Sequence, residues 1–201
     1  FVEVGAGGVV ENSNTFFFEK ELNWTGLLIE GALPNIAHLS AKKRLRPKTV
    51  MIFKAACERP GVVKMVGDGF SAGLVSDMPM EHKTLFSSNW SGSWASPYEV
   101  ECDSLQSILD EHKVRNVDFM SIDVEGGELG VLRGLDLTKV DVRVIVIHLP
   151  GDVSPKESES RKILQSHDFC LAARVDGNEY WTSDAAFQRI HCGWSNFLHE
   201  P

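Results

Sequence analysis

The sequence predicts an α/β fold with a doubly wound, mostly parallel sheet. Short apolar runs with β-branched residues alternate with amphipathic stretches of helical period along most of the 201 residues, a pattern typical of βαβ units. The first apolar run leads into a glycine turn at residues 5–8 (GAGG), and the second ends in Glu30. Because the carboxyl ends of parallel strands share one edge of a sheet, a ligand site is expected at that edge.

The glycine turn follows a first strand over residues 1–4. Val2 and Val4 suit a buried strand, whereas Gly5 and Gly7 allow positive φ and a close approach of the backbone to a ligand. N-cap candidates at residues 12–15 predict a helix from residue 16, with its amino end near the ligand. Glycine turns also serve packing alone, so this motif fits both a binding site and a structural turn.

A second strand over residues 27–30 (LLIE) places Glu30 25 positions after Gly5. A carboxylate at this strand end can accept hydrogen bonds from both hydroxyls of a ribose. The spacing is longer than the roughly 20 residues found in dinucleotide-binding folds. The unit therefore indicates a nucleoside-containing cofactor.

Three segments in this order resemble the FkbM-type methyltransferases, which are class I S-adenosylmethionine (SAM) enzymes. They are residues 2–7 (VEVGAG) with 13–15 (SNT), residues 25–30 (TGLLIE), and residues 117–126 (VDFMSIDVEG). The resemblance covers most of the chain. It implies a Rossmann-like sheet with a C-terminal antiparallel hairpin, SAM as cofactor, and methyl transfer to a hydroxyl of a sugar or a small secondary metabolite.

The resemblance also implies where SAM lies. The cofactor would cross the glycine turn, with its ribose on Glu30 and its adenine beside the segment after the third strand, and no metal is implied. The implied cofactor-binding residues are Glu3, Gly5, Ala6, Gly7, Asn14, Glu30, Ala55, Ala56 and Asp123.

The middle of the chain continues the alternation. Pro34 begins a predicted helix over 34–43 with Ile36, Ala37 and Leu39 on its apolar side; strands are predicted over 50–56 and 62–66. Residues 68–97 are rich in Gly, Ser and Trp without clear periodicity, and such inserts are usually functional or mobile. We expect them to form a lid over the acceptor site, with Trp90 and Trp94 offering apolar or sugar-stacking faces.

The last part of the chain is predicted by the same signals. Residues 98–102 suit an edge strand, and 104–113 a helix capped by Asp103 or Ser104. Apolar runs predict strands at 117–122 and 142–148, with a helix at 128–135 between them. A helix at 158–167 precedes an antiparallel hairpin, strands 169–175 and 179–182 around the turn Asp176-Gly177-Asn178. No pattern can be interpreted after residue 187.

Three residues at strand ends are the candidate catalytic groups. Asp123 and Glu125 follow the strand at 117–122, and alternation along an extended segment would place both on one side. They could orient the methionine part of SAM, accept a proton or hold a cation; the structural alternative is an N-cap and a first-turn acid for the next helix. His148 ends the neighbouring strand and suits a general base, although the family usually has glutamate there and a lone strand-end histidine is often structural.

Composition limits the function classes. With 43% hydrophobic and 24% charged residues, the chain suits one globular domain over residues 1–201. A net charge of −8 and a pI near 5.4 argue against a nucleic-acid partner. The basic cluster Lys42, Lys43, Arg44, Arg46 and Lys48 is interpreted as a solvated helix end and loop.

The cysteines and the chain ends bear on compartment. Cys57, Cys102, Cys170 and Cys192 are widely scattered, which predicts core cysteines or isolated thiols rather than a zinc site or a dense disulfide framework. No stretch suits a transmembrane helix, but Phe1 lies inside the first strand, so an upstream segment is expected, and any signal or anchor would lie in it. The sequons 23–25 (NWT) and 89–91 (NWS) are compatible with a secretory route but occur frequently by chance. The compartment stays open with a lean towards the cytoplasm, and the oligomeric state is open.

Two other functions fit parts of this pattern. A nicotinamide-dependent oxidoreductase would favour a third glycine in the turn motif, where the sequence has Val10. A SAM-binding or regulatory module without catalysis would fit the departures at Gly8, where the family often has an acid, and at His148. Titration of the protein with SAM and with NAD(P)H would separate the three hypotheses.

Overall fold

The computed structural model describes residues 1–77, 96–151 and 154–185. Within these ranges, helices and strands alternate and the largest sheet is mostly parallel, so the predicted α/β class is confirmed. Several predictions concern residues outside these ranges. They are the predictions for the lid tryptophans Trp90 and Trp94, the sequon at Asn89, Cys192 and the chain after residue 185.

The strands form three sheets. The seven-stranded main sheet contains β1 (Val2–Val4), β2 (Gly26–Ile29), β3 (Thr49–Ile52), β9 (Met120–Ile122), β11 (Val144–His148), β12 (Cys170–Val175) and β13 (Asn178–Thr182). A four-stranded second sheet contains β4 (Ala55–Cys57), β5 (Gly61–Val66), β6 (Gly73–Leu74) and β7 (Tyr98–Ser104). The strands β8 (Asn116–Val117) and β10 (Asp141–Val142) form a parallel pair.

Five α-helices lie in the described ranges: α1 (Phe16–Leu22), α2 (Leu33–Lys42), α3 (Leu105–Glu111), α4 (Glu128–Arg133) and α5 (Pro155–Ser166). Short 3₁₀ helices occupy Lys43–Leu45 and Gly69–Ser71. Ser104 caps α3 as predicted, because its side chain accepts a hydrogen bond from the Ser107 amide at 3.1 Å. None of the described helices has the length and apolarity needed to cross a membrane.

The order of strands in the main sheet is β12-β13-β11-β9-β1-β2-β3. The five strands from β11 to β3 are parallel, whereas β13 runs antiparallel to both of its neighbours. The strand ending at His148 lies beside the one that precedes Asp123, as predicted. The carboxyl ends of β1, β2, β9 and β11 therefore meet at one edge, above a core that includes Val4, Met120, Ile122 and Ile147.

Three predicted strands are interrupted. The run at 50–56 leaves the main sheet at Phe53 and Lys54, and its second half becomes β4 of the second sheet. The runs at 117–122 and 142–148 each begin in the β8–β10 pair and continue in the main sheet after a break. A continuous apolar pattern cannot show these breaks, because apolar residues occur on both sides of each break.

Two other predictions about placement were wrong. The strand β7 is not at an edge but lies between β4 and β5. In α2 the buried residues are Asn35 and Leu39, whereas Ala37 is exposed. The described part of the 68–97 segment is also not irregular throughout, since β6 pairs antiparallel with β5.

The prediction for the cysteines requires correction. Cys57 on β4 and Cys102 on β7 form a disulfide, with their Cα atoms 6.1 Å apart and 45 positions between them in sequence. Both side chains lie in the core of the second sheet, and Cys170 is also disulfide-bonded. The wide spacing in sequence concealed the pair because β4 and β7 become neighbours only after the intervening chain has folded.

Arg46 corrects the interpretation of the basic cluster as a solvated surface. Its side chain is fully buried, and its guanidinium donates to Glu19 Oε2 at 2.5 Å, to the Val9 carbonyl at 2.9 Å and to Thr15 Oγ1 at 2.9 Å. Burial acts to raise the pKa of Glu19, but hydrogen bonds from Thr49 and Arg46 outweigh it, so the pKa lies below its ordinary value. An ionised, buried pair thus joins α1 to the segment that leads into β3.

Replacing Arg46 tests the importance of this pair. We expect Arg46→Met to lower the free energy of unfolding by about 3–5 kcal/mol, because the variant keeps the volume but leaves the Glu19 carboxylate buried without its partner. Urea unfolding followed by tryptophan fluorescence measures the change. Arg44→Met, at an exposed position of the same cluster, should change the stability by less than about 0.5 kcal/mol; equal effects of the two variants would contradict this role for Arg46.

Candidate functional site

A cavity of about 480 Å³ opens at the carboxyl edge of the main sheet, between the glycine turn and the second sheet. Its volume is in the range of pockets that hold small molecules and cofactors. The structure brings to this cavity every residue for which cofactor binding was predicted: Glu3, Gly5, Ala6, Gly7, Asn14, Glu30, Ala55, Ala56 and Asp123.

The glycine turn is held against the two neighbouring strands. The Gly5 and Ala6 amides donate to the Ile29 carbonyl at 3.0 and 3.2 Å, and Gly5 has a φ of 83°. A Cβ atom on Gly5 would overlap the backbone carbonyl of Asp123. The packing explanation therefore accounts for Gly5, because the missing side chain makes room for the neighbouring chain rather than for a ligand.

Glu30 is 4% exposed and is fixed by backbone donors from both sides of the cavity. Its Oε2 accepts from the Gly7 amide at 2.7 Å, and its Oε1 accepts from the Ala32 amide at 2.6 Å. Burial raises the pKa of Glu30 above its ordinary value in spite of these hydrogen bonds. The acid thus holds the glycine turn in place and also presents its carboxylate to the cavity.

Glu3 organises the loop that follows the glycine turn. This carboxylate is 2% exposed; it accepts from Ser13 Oγ at 2.8 Å, from the Asn14 amide at 3.0 Å, and from the Thr15 hydroxyl. Asn14 in turn donates from Nδ2 to Ser121 Oγ on β9 at 2.9 Å. The helix α1 begins only at Phe16, so the loop rather than the predicted helix end borders the cavity.

The opposite wall of the cavity belongs to the second sheet. Ala55 and Ala56 line it together with Met65 and Leu74, which gives this side an apolar surface. Gly31 lies directly against Ala55, since a Cβ atom there would be 2.9 Å from the Ala55 Cα. Small residues on both segments, Gly31 and Ala55, therefore keep this end of the cavity open.

Asp123 and Glu125 both line the cavity, but not for the predicted reason. The segment is not extended: Glu125 has a φ of 55° and Gly126 a φ of 94°, so alternation along a strand does not apply. A positive φ is uncommon for glutamate and is found preferentially where function or tight turns require it. Burial raises the pKa of Asp123, while the nearby His148 acts to lower it.

The loop that carries these two acids is shaped by Glu128. This carboxylate begins α4, as predicted, and accepts hydrogen bonds from the Val124 and Gly126 amides at 3.1 and 3.2 Å. Burial raises the pKa of Glu128 to about 7, and the charge of Asp123 acts in the same direction. Glu128 therefore positions the loop through its backbone.

His148 lies in a neighbouring cavity of about 620 Å³ between β11, α4 and the start of α5. Glu125 borders both cavities, whereas Asp123 borders only the first and His148 only the second. The three candidate catalytic residues thus adjoin one another but do not share the single cleft that the sequence predicted. Of the three, Glu125 alone borders both cavities.

Several residues that line the first cavity were not predicted as site residues. They are polar groups on loops, at strand ends and, for Asn35, in α2, for which spacing along the chain gives no signal: Asn12, Ser13, Asn35, Lys54 and Asn178. Asn12 was considered only as a helix cap, Ser13 as a helix cap and as part of the family signature, and Asn178 only as part of a turn. Pairing of Asn178 with His148 across β13 and β11 brings it to the site. Among the described residues, no cluster of three or more potential metal ligands occurs.

Comparison with known proteins gives one match. A family model described as "Methyltransferase FkbM domain" matches residues 3–171. The searches of curated proteins and of solved structures found no match. The matched range includes the glycine turn, Glu30, the loop with Asp123 and Glu125, and His148, and it confirms the resemblance noted from the sequence. The chain belongs to the FkbM methyltransferase family.

Proposed function

We propose that the chain is a SAM-dependent methyltransferase that methylates a hydroxyl oxygen of a neutral, polyhydroxylated small molecule such as a sugar. The observation that carries the cofactor assignment is the charge of the first cavity. Glu3, Glu30, Asp123 and Glu125 line it, and Lys54 is the cation among its described lining residues. Lys54 is itself 3.7 Å from Asp103.

Such a cavity suits a cationic ligand. SAM carries a sulfonium and an ammonium group against one carboxylate, whereas a nicotinamide dinucleotide carries negative phosphates that the carboxylates would repel. Burial raises the pKa values of Glu3, Glu30 and Asp123 because it disfavours their charged forms. A bound cation would stabilise those charged forms. The charge therefore favours SAM over the oxidoreductase alternative.

The fold supports the same assignment. The strand β13 runs antiparallel to both β11 and β12 at one side of the mostly parallel sheet, and this supports the Rossmann-like arrangement with a C-terminal hairpin that the family resemblance implies. In this proposal Glu30 holds the ribose hydroxyls, Ala55 and Ala56 contact the adenine, and Asp123 faces the amino-acid part of SAM. When bound, SAM supplies an already activated methyl group.

The acceptor is proposed to occupy the second cavity. Asp77, Glu125, Glu128 and Glu157 line it, together with Lys156, which is paired to Asp77 at 2.8 Å. This excess of carboxylates disfavours a phosphorylated or carboxylated acceptor and suits hydroxyl groups, which donate hydrogen bonds to carboxylates. Glu125 lies between the two cavities, so an acceptor hydroxyl beside it would face the methyl donor.

Removal of the acceptor proton falls to His148 or Glu125 in this arrangement. Both border the second cavity, and a hydroxyl is a poor nucleophile until its proton is taken. His148 is the proposed base because a neutral imidazole accepts a proton readily near neutral pH. Glu125 is the alternative because it also borders the cofactor cavity.

Glu30→Ala tests the cofactor assignment. We expect the affinity for SAM to fall by about 1–3 kcal/mol, because the variant loses a charged acceptor of hydrogen bonds. Isothermal titration with SAM measures it, and a parallel titration with NADPH tests the alternative cofactor. Glu21→Ala, an exposed acid on α1, should leave the affinity unchanged. An unaltered dissociation constant in a folded Glu30→Ala protein would contradict the assignment.

The pH dependence of SAM binding follows from Asp123. Its pKa lies above the ordinary value of 3.8, so lowering the pH through that raised pKa neutralises the carboxyl and removes its attraction for a cation. Affinity for SAM should therefore increase as pH rises through this interval and then level off. Titrations over the pH range in which circular dichroism shows a folded protein should give a flatter profile for Asp123→Asn than for the exposed control Asp141→Asn.

His148→Gln tests the base. The variant keeps a hydrogen-bonding side chain but cannot take up the proton usefully, so transfer of labelled methyl groups to sugar and polyol acceptors should slow by about 10²- to 10⁴-fold with SAM affinity nearly unchanged. The exposed His38 provides the control, His38→Gln.

Two outcomes of that experiment would change the assignment. Retained turnover in His148→Gln, with loss in Glu125→Gln, would move the role of the base to Glu125. If the wild-type protein bound SAM but transferred no methyl group to any acceptor tried, the reading as a SAM-binding module without catalysis would replace the enzyme.

A further inference from the structure

Two features that methyl transfer does not use concern the covalent state of the protein. One is the oxidised state of the cysteines: Cys57 and Cys102 are joined, Cys170 is disulfide-bonded, and no cysteine in the described ranges is free. Disulfides persist in oxidising compartments and are rare where glutathione and thioredoxin keep thiols reduced. The structural disulfide therefore indicates folding in an oxidising environment.

The other feature is the sequon Asn23-Trp24-Thr25 between α1 and β2. Asn23 and Thr25 are exposed, while the Trp24 ring is half-buried and stacks on Phe18 with ring centroids 4.9 Å apart. The middle residue thus anchors the turn, and the two residues that define an acceptor sequence reach solvent.

The amide nitrogen of Asn23 is accessible for modification. Asn23 adopts the left-handed conformation at the end of α1, with φ 61°, and its Oδ1 accepts from Lys48 Nζ. In the part of the chain that the structure describes, Nδ2 donates no hydrogen bond. The left-handed conformation explains an asparagine here by itself, but it explains neither the exposed threonine two residues later nor the disulfides.

The position of Asn23 is compatible with the site at the other edge of the sheet. Asn23 precedes the amino end of β2, whereas Glu30 follows its carboxyl end and lines the cavity. The four residues of β2 separate the two edges by about 13 Å at ~3.3 Å per residue. A bulky group on Asn23 would project away from both cavities.

We propose that Asn23 carries an N-linked glycan and that the chain folds in an oxidising compartment of the secretory route, where Cys57 and Cys102 are joined. Nδ2 forms a bond to the anomeric carbon of an oligosaccharide on a lipid diphosphate donor; the bond from that carbon to the diphosphate breaks, the diphosphate leaves with the electron pair, and the amide loses one proton. The two thiols lose two electrons and two protons to an oxidised thiol–disulfide oxidoreductase, through a mixed disulfide.

Peptide mapping of the full-length protein purified from its natural source tests both parts. Free thiols are alkylated under denaturing, non-reducing conditions before digestion. We expect the Asn23 peptide to carry a glycan that a peptide N-glycosidase removes with conversion of Asn23 to aspartate, and Cys57 and Cys102 to appear in one linked pair of peptides that separates on reduction. An unmodified Asn23, or alkylated Cys57 and Cys102, would overturn the proposal.

A matched series in eukaryotic secretory expression isolates the site. In an Asn89→Gln background, glycosidase treatment should increase the gel mobility of the parent protein, and this shift should be lost in Asn23→Gln and Thr25→Val but kept in Thr25→Ser. Thr25→Val leaves Asn23 in its turn, which guards against misfolding of the asparagine variant. A shift that persists in both variants would contradict the assignment to Asn23. Neither experiment involves SAM, so its outcome is independent of the proposed enzymatic function.

Discussion

The buried guanidinium of Arg46 makes the contacts on which the architecture of the first cavity depends. It reaches Glu19 on α1, the Val9 carbonyl and the hydroxyls of Ser13 and Thr15. The same two hydroxyls donate to Glu3 in β1. A continuous polar network therefore links α1, the loop after the glycine turn and the first strand. Without the guanidinium, two buried carboxylates and a carbonyl would lose compensation for the water they gave up on folding.

The second sheet completes the cavity because the chain departs from the main sheet after β3. This departure carries Ala55 and Ala56 across the carboxyl edge, where they form the apolar wall opposite the glycine turn. The disulfide between β4 and β7 fixes that wall, and Asn35 ties its far end by exchanging two hydrogen bonds of 2.8 Å with Gly69. The ion pair of Arg46 and Glu19 thus stabilises one side of the cavity, and the disulfide between Cys57 and Cys102 stabilises the other.

The sequence predicted the parts of the site that local pattern and family resemblance determine. The glycine turn, Glu30 and Asp123 stand at strand ends, and the parallel sheet gathers strand ends at one edge whatever the loops do. Arg46 and Cys57 were misinterpreted because their environment comes from chain 27 to 45 positions away. Asn178 was missed because an antiparallel pairing delivers it to the site. The break after β3 left no trace because apolar residues occur on both sides of it.

The proposed folding in an oxidising compartment would place a constraint on the proposed methyl transfer. The carboxylates of the first cavity would favour a cation wherever the protein resides, but the proposed turnover would require that SAM enter the compartment in which the domain is found. Binding and catalysis can therefore be separated in this proposal, because His148 borders only the second cavity and does not contribute to the charge of the first. Glu30 and Glu3, which contribute to that charge, also accept hydrogen bonds from the backbone amides of Gly7 and Asn14. Selection for a stable fold would preserve these contacts, so the ability to bind a cationic cofactor would outlast the ability to use it.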